Sequence, residues 1–235
     1  MTCPDSTGPD AITSEGGEQL ESPLFDGFEN GFCDYMRGTG FCYQTGQATF
    51  KIVDSPVHSG NFAAAFTVFG DGTKQSQQSR CVREGVLPPA AVYGAWYYIP
   101  SLTKSSALWN LFHFQGRATP DQTWDGLWDI SLLNTDSGDL RLVVYDFVNK
   151  LVRNPPDGTI VPIGTWFHLQ IFLKRASDAT GEVNVYQDGV SVVHATNIIT
   201  DRTNYAQWYV GNLAESVSPV QSTLYVDDVT VGGSL

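Results

Sequence analysis

The run GTWFHLQIFLKRASDATGEVNVYQDG, residues 164–189, decides the fold. Its first half alternates strictly. Phe167, Leu169, Ile171 and Leu173 fall on one face of an extended chain, and Trp166, His168, Gln170, Phe172 and Lys174 fall on the other. The apolar set can fill a core; the other set mixes aromatic and polar groups. The second half alternates as well, with Asn184 and Tyr186 sharing a face, and it ends in Asp188-Gly189. That pair supplies the positive φ angles of a type I′ hairpin turn. A period of two between turn residues predicts antiparallel sheet and excludes helix.

The same pattern extends in both directions. GQATFKIVDS, NFAAAFTVFG, AVYGAWYYIP, DGLWDISLLN, DLRLVVYDFV, AQWYVGNLA and TLYVDDVTV each read as strands, bounded by Gly, Asn, Asp or Pro. No heptad, helical repeat or membrane-length apolar run interrupts them. At 235 residues, with 23 Gly and charged residues at 16%, the chain suits one large all-β domain, an antiparallel two-sheet β-sandwich. The domain is expected over 24–235, behind a flexible acidic tail at 1–23 rich in Gly, Ser, Thr and Pro.

Charge narrows the partners. The formal net charge is −12, and seven acids but no Lys or Arg occur before residue 32. Binding a phosphate backbone needs clustered cations, so nucleic acid is excluded as a partner. No signal peptide is evident, and Met1 can stand where one was removed. Cys3, followed by small and acidic residues, has the look of a lipid anchor of an outer-surface protein. Cys33 and Cys42 bracket a turn-like loop, and Cys81 can pair with either; four cysteines allow three pairings, which stay open. Any such bridge suits an exported, bacterial protein, expected to be secreted and monomeric.

One further strand, WNLFHFQG at 109–116, carries chemistry. Alternation places His113 and Gln115 on one face beside Trp109 and Leu111. An imidazole next to a carboxamide is either a satisfied structural pair or part of a site that handles a sugar acid.

The succession of FENG, an aromatic strand ending in IP, LFHFQG, the 164–189 run and LYVDDVTV resembles the concanavalin A-like, laminin-G-like jelly rolls. Within them it looks most like the jelly-roll polysaccharide lyases: the heparin-lyase-like, alginate-lyase and glucuronan-lyase groups. The resemblance runs from Phe25 to the C-terminus and implies a β-jelly roll. In those lyases a Gln and a His share a strand of the concave face with a Tyr and a basic residue nearby. His113 and Gln115 match the pair in type, in the order His-x-Gln where the alginate-lyase motif runs Gln-x-His.

β-Elimination on a uronic acid needs a group to neutralise the carboxylate, a base for the C5 proton and an acid for the leaving oxygen. The expected assignment is Gln115 as neutraliser, His113 as base, and Tyr145 or Tyr186 as acid, with Arg141 offsetting charge. Trp124, His168, Gln170, Lys174 and Asn184 are the expected sugar contacts. Arg117, Arg141, Lys174 and Arg175 are the cations able to make a local positive cleft in an acidic chain. A non-catalytic carbohydrate-binding or adhesive domain is the main alternative. A glycoside hydrolase ranks third, because it needs two carboxylates across the bond and only Asp129, with Asp125 before it, is placed for that. No organic cofactor is expected. A structural Ca2+ is, held by Asp26, Glu29 and Asp227 between the first and last strands.

Overall fold

A computed structural model describes residues 24–70, 75–105, 109–119 and 121–232. Two antiparallel sheets face each other. The back sheet runs, in spatial order, β14 (Val190–Ile198), β13 (Gly181–Gln187), β12 (Trp166–Lys174), β6 (Ala90–Tyr98), β17 (Gln221–Gly232), β4 (Ala63–Phe69) and β3 (Ala48–Val53), with β1 (Leu24–Asp26) also on β17. The front sheet runs β11 (Leu151–Arg153), β10 (Leu140–Asp146), β9 (Asp125–Asn134), β8 (Trp109–Arg117), β15 (Tyr205–Glu215), β5 (Ser76–Gly85) and β2 (Gly40–Thr45). A two-stranded pair, β7 (Lys104–Ser105) with β16 (Val217–Ser218), and one helical turn, α1 (Cys33–Met36), complete it. This is the all-β sandwich that the alternation predicts. The acidic tail and its Cys3 lie outside the described residues.

The decisive run forms β12 and β13. Phe167, Leu169, Ile171 and Leu173 are fully buried, packed in one cluster with Phe112, Phe114, Trp128 and Trp208 of the front sheet. Asp188 and Gly189 both take positive φ, 51° and 77°, as the hairpin turn requires. Aromatic edges lock the layers together: Tyr93 meets Phe114 and Trp208, each at 5.0 Å between ring centres. Tyr97 of the back sheet donates its hydroxyl to the Leu111 carbonyl at 3.1 Å and accepts from the Gly211 N–H at 3.2 Å, so the sheets also share hydrogen bonds.

Strict alternation fails in one place that matters. In β8 the register slips between Asn110 and Phe112 against β9, and β15 slips between Val210 and Leu213 against β8. The extra residue is a bulge. Trp109 and Leu111, expected beside His113, therefore turn into the core, and Asn110 takes the outer face. Trp109 donates its indole N–H to buried Asn212 at 3.1 Å.

Cys42 on β2 is bonded to Cys81 on β5, directly opposite in register, and Cys33 is disulfide-bonded as well. The bridge ties an edge strand to its neighbour beside the polar part of the front sheet.

Candidate active site

Directly opposed residues of antiparallel strands point to the same face. On the outward face of the front sheet this rule lines up Val82, Tyr209, His113, Asp129 and Tyr145, one from each of β5, β15, β8, β9 and β10. Beside that row lie Glu84, Gln207 and Gln115, again opposed in sequence-distant strands. The centre is therefore built by register.

His113 is held on both sides. Its Nδ1 bonds Asp129 Oδ1, and its Nε2 lies 3.2 Å from Gln115 Oε1. A carboxylate at Nδ1 keeps the proton on that nitrogen and leaves Nε2 as the atom that can take or give one. The imidazolium so formed has an acceptor at each nitrogen. Gln115 Nε2 donates to the Tyr209 hydroxyl and to Gln207 Oε1, and Tyr209 donates to Gln207 Oε1. The His113 and Tyr209 rings are 5.1 Å apart. Burial pushes the Tyr209 phenol well above its ordinary value, aided by Tyr43 and Glu84 and opposed by Arg80. Tyr209 thus holds its proton at neutral pH.

Arg80 supplies the positive charge. It is 4% exposed, donates to Asn110 Oδ1 at 2.8 Å and has its guanidinium carbon 5.1 Å from the centre of the Tyr209 ring. Burial lowers its pKa, while Tyr43, Asp129 and Tyr209 pull it back up. A cavity of about 300 Å³ lined by Tyr43, Gln78, Arg80, His113, Gln115, Asp129 and Tyr209 opens over these groups. A second, of about 500 Å³, begins at the other side of His113 and is lined by Asp125, Gly126, Phe147, Lys150 and Arg202. His113 lines both.

The expected site residues divide between the two outer faces of the sandwich. Tyr145 shares the outward face with His113, one strand beyond Asp129, and stacks on Phe147. Arg141 is on the same strand but in a separate cavity of about 370 Å³ under the 156–160 loop. Trp124 lies immediately before β9 with the Arg117 guanidinium 4.3 Å over its ring, in a cavity with Glu84 and Tyr205. Tyr186, His168, Gln170, Lys174 and Asn184 project from the outer face of the back sheet, away from the core and so on the opposite side of the sandwich. One site holding both groups does not form. Alternation assigns a residue to a face of its strand but not a strand to a sheet. On that far face Asn184 donates to Tyr186, and His168 stacks on Trp96 at 4.7 Å. Burial lowers the His168 pKa.

The sequence reading missed Arg80 and Tyr209. The signal was there: SRCVRE alternates Arg80, Val82 and Glu84 on one face, and AQWYVGN places Gln207 with Tyr209.

The three acids expected to hold calcium sit near the first and last strands. Asp227 accepts the N–H groups of His58 and Ser59 at 2.9 and 3.2 Å, and Glu29 those of Asn61 and Phe62 at 2.8 and 3.0 Å. Both thereby hold the 58–62 loop. Asp26 accepts from Phe28 N–H at 2.7 Å through one oxygen; its other oxygen is buried without a partner, and burial raises its pKa to about 7. Among the described residues no three His, Cys, Asp or Glu side chains converge as metal ligands.

A polysaccharide lyase family model matches residues 34–230. No curated relative matches by sequence. Among solved structures, the endo-β-1,4-glucuronan lyase of the fungus Trichoderma reesei aligns at 19% identity with a TM-score of 0.69, over 92% of this chain and 96% of its own. Alginate lyase Aly36B aligns at 13% identity and 0.61, over 91% and 98%. The cellulose-induced protein Cip1 aligns at 14% and 0.61, over 90% and 97%. At these identities the structures establish a shared fold.

Proposed function

The chain belongs to the polysaccharide lyase family, and we propose that it cleaves a uronic-acid-containing glycan by β-elimination on the outward face of its front sheet. The observation that carries this reading is the convergence of His113, Tyr209, Gln115 and Arg80 around one cavity. Arg80 and the Gln115 amide offset charge building on the substrate carboxylate as C5 loses its proton. His113 Nε2 takes that proton. The C5–H electron pair becomes the C4–C5 double bond, the C4–O bond breaks, and the leaving oxygen takes the Tyr209 proton. A proton passing from His113 to Tyr209 restores the starting state, so no water is consumed. Tyr209 takes the acid role first considered for Tyr145 and Tyr186, because it is bonded to Gln115 and adjoins His113.

A hydrolase lacks support in the same cavity. Its lining offers one carboxylate, Asp129, already bonded to His113, where a hydrolase needs two across the scissile bond. The test is a panel of glucuronan, alginate, heparin-type glycan and neutral glucans, read by absorbance of the unsaturated product and by reducing ends. Unsaturated product from a polyuronate supports the proposal. Reducing ends without it point to hydrolysis, and binding with neither signal points to a carbohydrate-binding domain.

Two further readings belong to the proposal. The Cys42–Cys81 bridge supports export to an oxidising compartment. The unpartnered buried oxygen of Asp26 is the one feature that favours a structural calcium there, Glu29 and Asp227 being taken up by the 58–62 loop. Metal analysis of the purified protein then finds calcium, and adding chelator lowers the melting temperature; an unchanged melt with no bound metal removes the calcium.

A further inference from the structure

We infer that the cavity on the β10 side of His113 is a second uronate subsite, in which Phe147 stacks on the sugar and Lys150 with Arg202 holds its carboxylate. The inference rests on the lyase reading of His113 and extends it to the residue next to the cleaved bond.

The chemistry of the cavity is specific. Phe147 is 46% exposed, although aromatic, and its ring lies on Gly126 so closely that a Cβ there would meet it at 3.1 Å. Tyr145 stacks behind it, rings 6.1 Å apart and 18° from parallel. The ring is thus braced by its neighbours while nearly half of it stays open to a ligand, the form of a sugar platform. Lys150 and Arg202 enter the same cavity from two different loops, and neither has an ion-pair partner among the described residues. In a chain of net charge −12, two unpaired cations beside the proposed base are a local reversal of sign. Asp125 is the one acid lining the cavity.

Both loops are built to hold these positions. Fully buried Asp146 accepts from Asn149 N–H at 2.9 Å and from Arg153 at 2.7 Å, and so shapes the turn on which Lys150 takes a φ of 57°. Asp201 accepts from Thr203 N–H and from Arg175 Nε, both at 2.7 Å, and so shapes the loop carrying Arg202. Asn149 donates to the Ile199 carbonyl at 2.9 Å and joins the two. The cations are placed before any ligand arrives, which lowers the ordering cost of binding. A carboxylate in this subsite beside one at Arg80 requires two consecutive uronates, so polyuronates are the favoured class over glycans in which a neutral sugar alternates.

The experiment compares the full chain with Lys150→Met/Arg202→Met and with Phe147→Ala on glucuronan and alginate. On whichever polymer is cleaved, both variants raise KM about fivefold at nearly constant kcat, and the double variant loses most of the salt dependence of KM. If the neutral pair does not fold, Phe147→Ala decides alone: a raised KM at constant kcat supports the subsite, and an unchanged KM overturns it. Unchanged KM and salt dependence in a folded neutral variant overturns the subsite and leaves the lyase reading standing. If the wild type cleaves neither polymer, calorimetry with an oligouronate tests the subsite directly. Binding that the neutral pair loses supports it, and equal binding by both overturns it.

Discussion

The tripeptide pattern His-x-Gln occurs twice, as His113-Phe114-Gln115 in β8 and as His168-Leu169-Gln170 in β12. Each strand buries its intervening hydrophobe in the same core and turns His and Gln outward. Locally the two are near copies, yet their surroundings diverge. Across from His113 stand Tyr209 and Asp129, a proton donor and a carboxylate. Across from His168 stands Trp96, with its ring stacked between His168 and His58. His58 in turn bonds Asp228 at 2.6 Å, so that its loop is pinned onto the sheet. The same pair of residues is thus the proposed reaction centre in one sheet and a packing element in the other. The identity of cross-strand neighbours separates them.

The sharpest way to break this comparison is to replace each histidine. His113→Ala lowers kcat on the cleaved polyuronate roughly 10³-fold, whereas His168→Ala leaves it within about twofold. Equal losses from both would end the distinction. Next in size is Tyr209→Phe, expected to lower kcat about 10²-fold with a native circular dichroism spectrum; a loss seen only in KM would take the acid role away from Tyr209. Asp129→Asn acts through His113 by no longer fixing the Nδ1 proton. About tenfold in kcat at constant KM, partly recovered by Asp129→Glu, is the expected result.

The smallest effects are in stability. Burial raises the Tyr35, Tyr93, Tyr97 and Tyr209 phenols, so their contribution is complete below the unfolded value of about 10 and declines as pH rises beyond it. Denaturant midpoints should fall above about pH 10, less steeply in Tyr209→Phe. Burial lowers His168, so its contribution is present above about pH 6.5 and is lost as pH falls. His168→Gln should flatten the midpoint on that acid side only, and an unchanged acid slope would show the ring to be indifferent to its stack.

How much of this was legible in the sequence follows from the same contrast. Face assignment was readable wherever alternation was unbroken, and Phe167, Leu169, Ile171 and Leu173 fell into the core as expected. The turn at Asp188-Gly189 was readable because its φ angles demand those residue types. Sheet assignment was not: nothing within WFHLQIFLK says whether its polar face meets Trp96 or a tyrosine. Tyr209 and Arg80 lie 96 and 33 positions from His113 in the numbering and reach it only through strand pairing. The lyase resemblance named a tyrosine and a basic residue as companions, and only the register could say which ones.

The bulge in β8 has a further consequence. With regular pairing, holding His113 outward would turn Leu111 and Trp109 outward too, and Asn110 would be drawn inside, away from Arg80. Adding or deleting a single codon between Trp109 and His113 therefore confronts the protein with a choice between its scaffold and its chemistry. A substitution in this segment changes one side chain, whereas a change in its length changes which face every residue on one side of it meets.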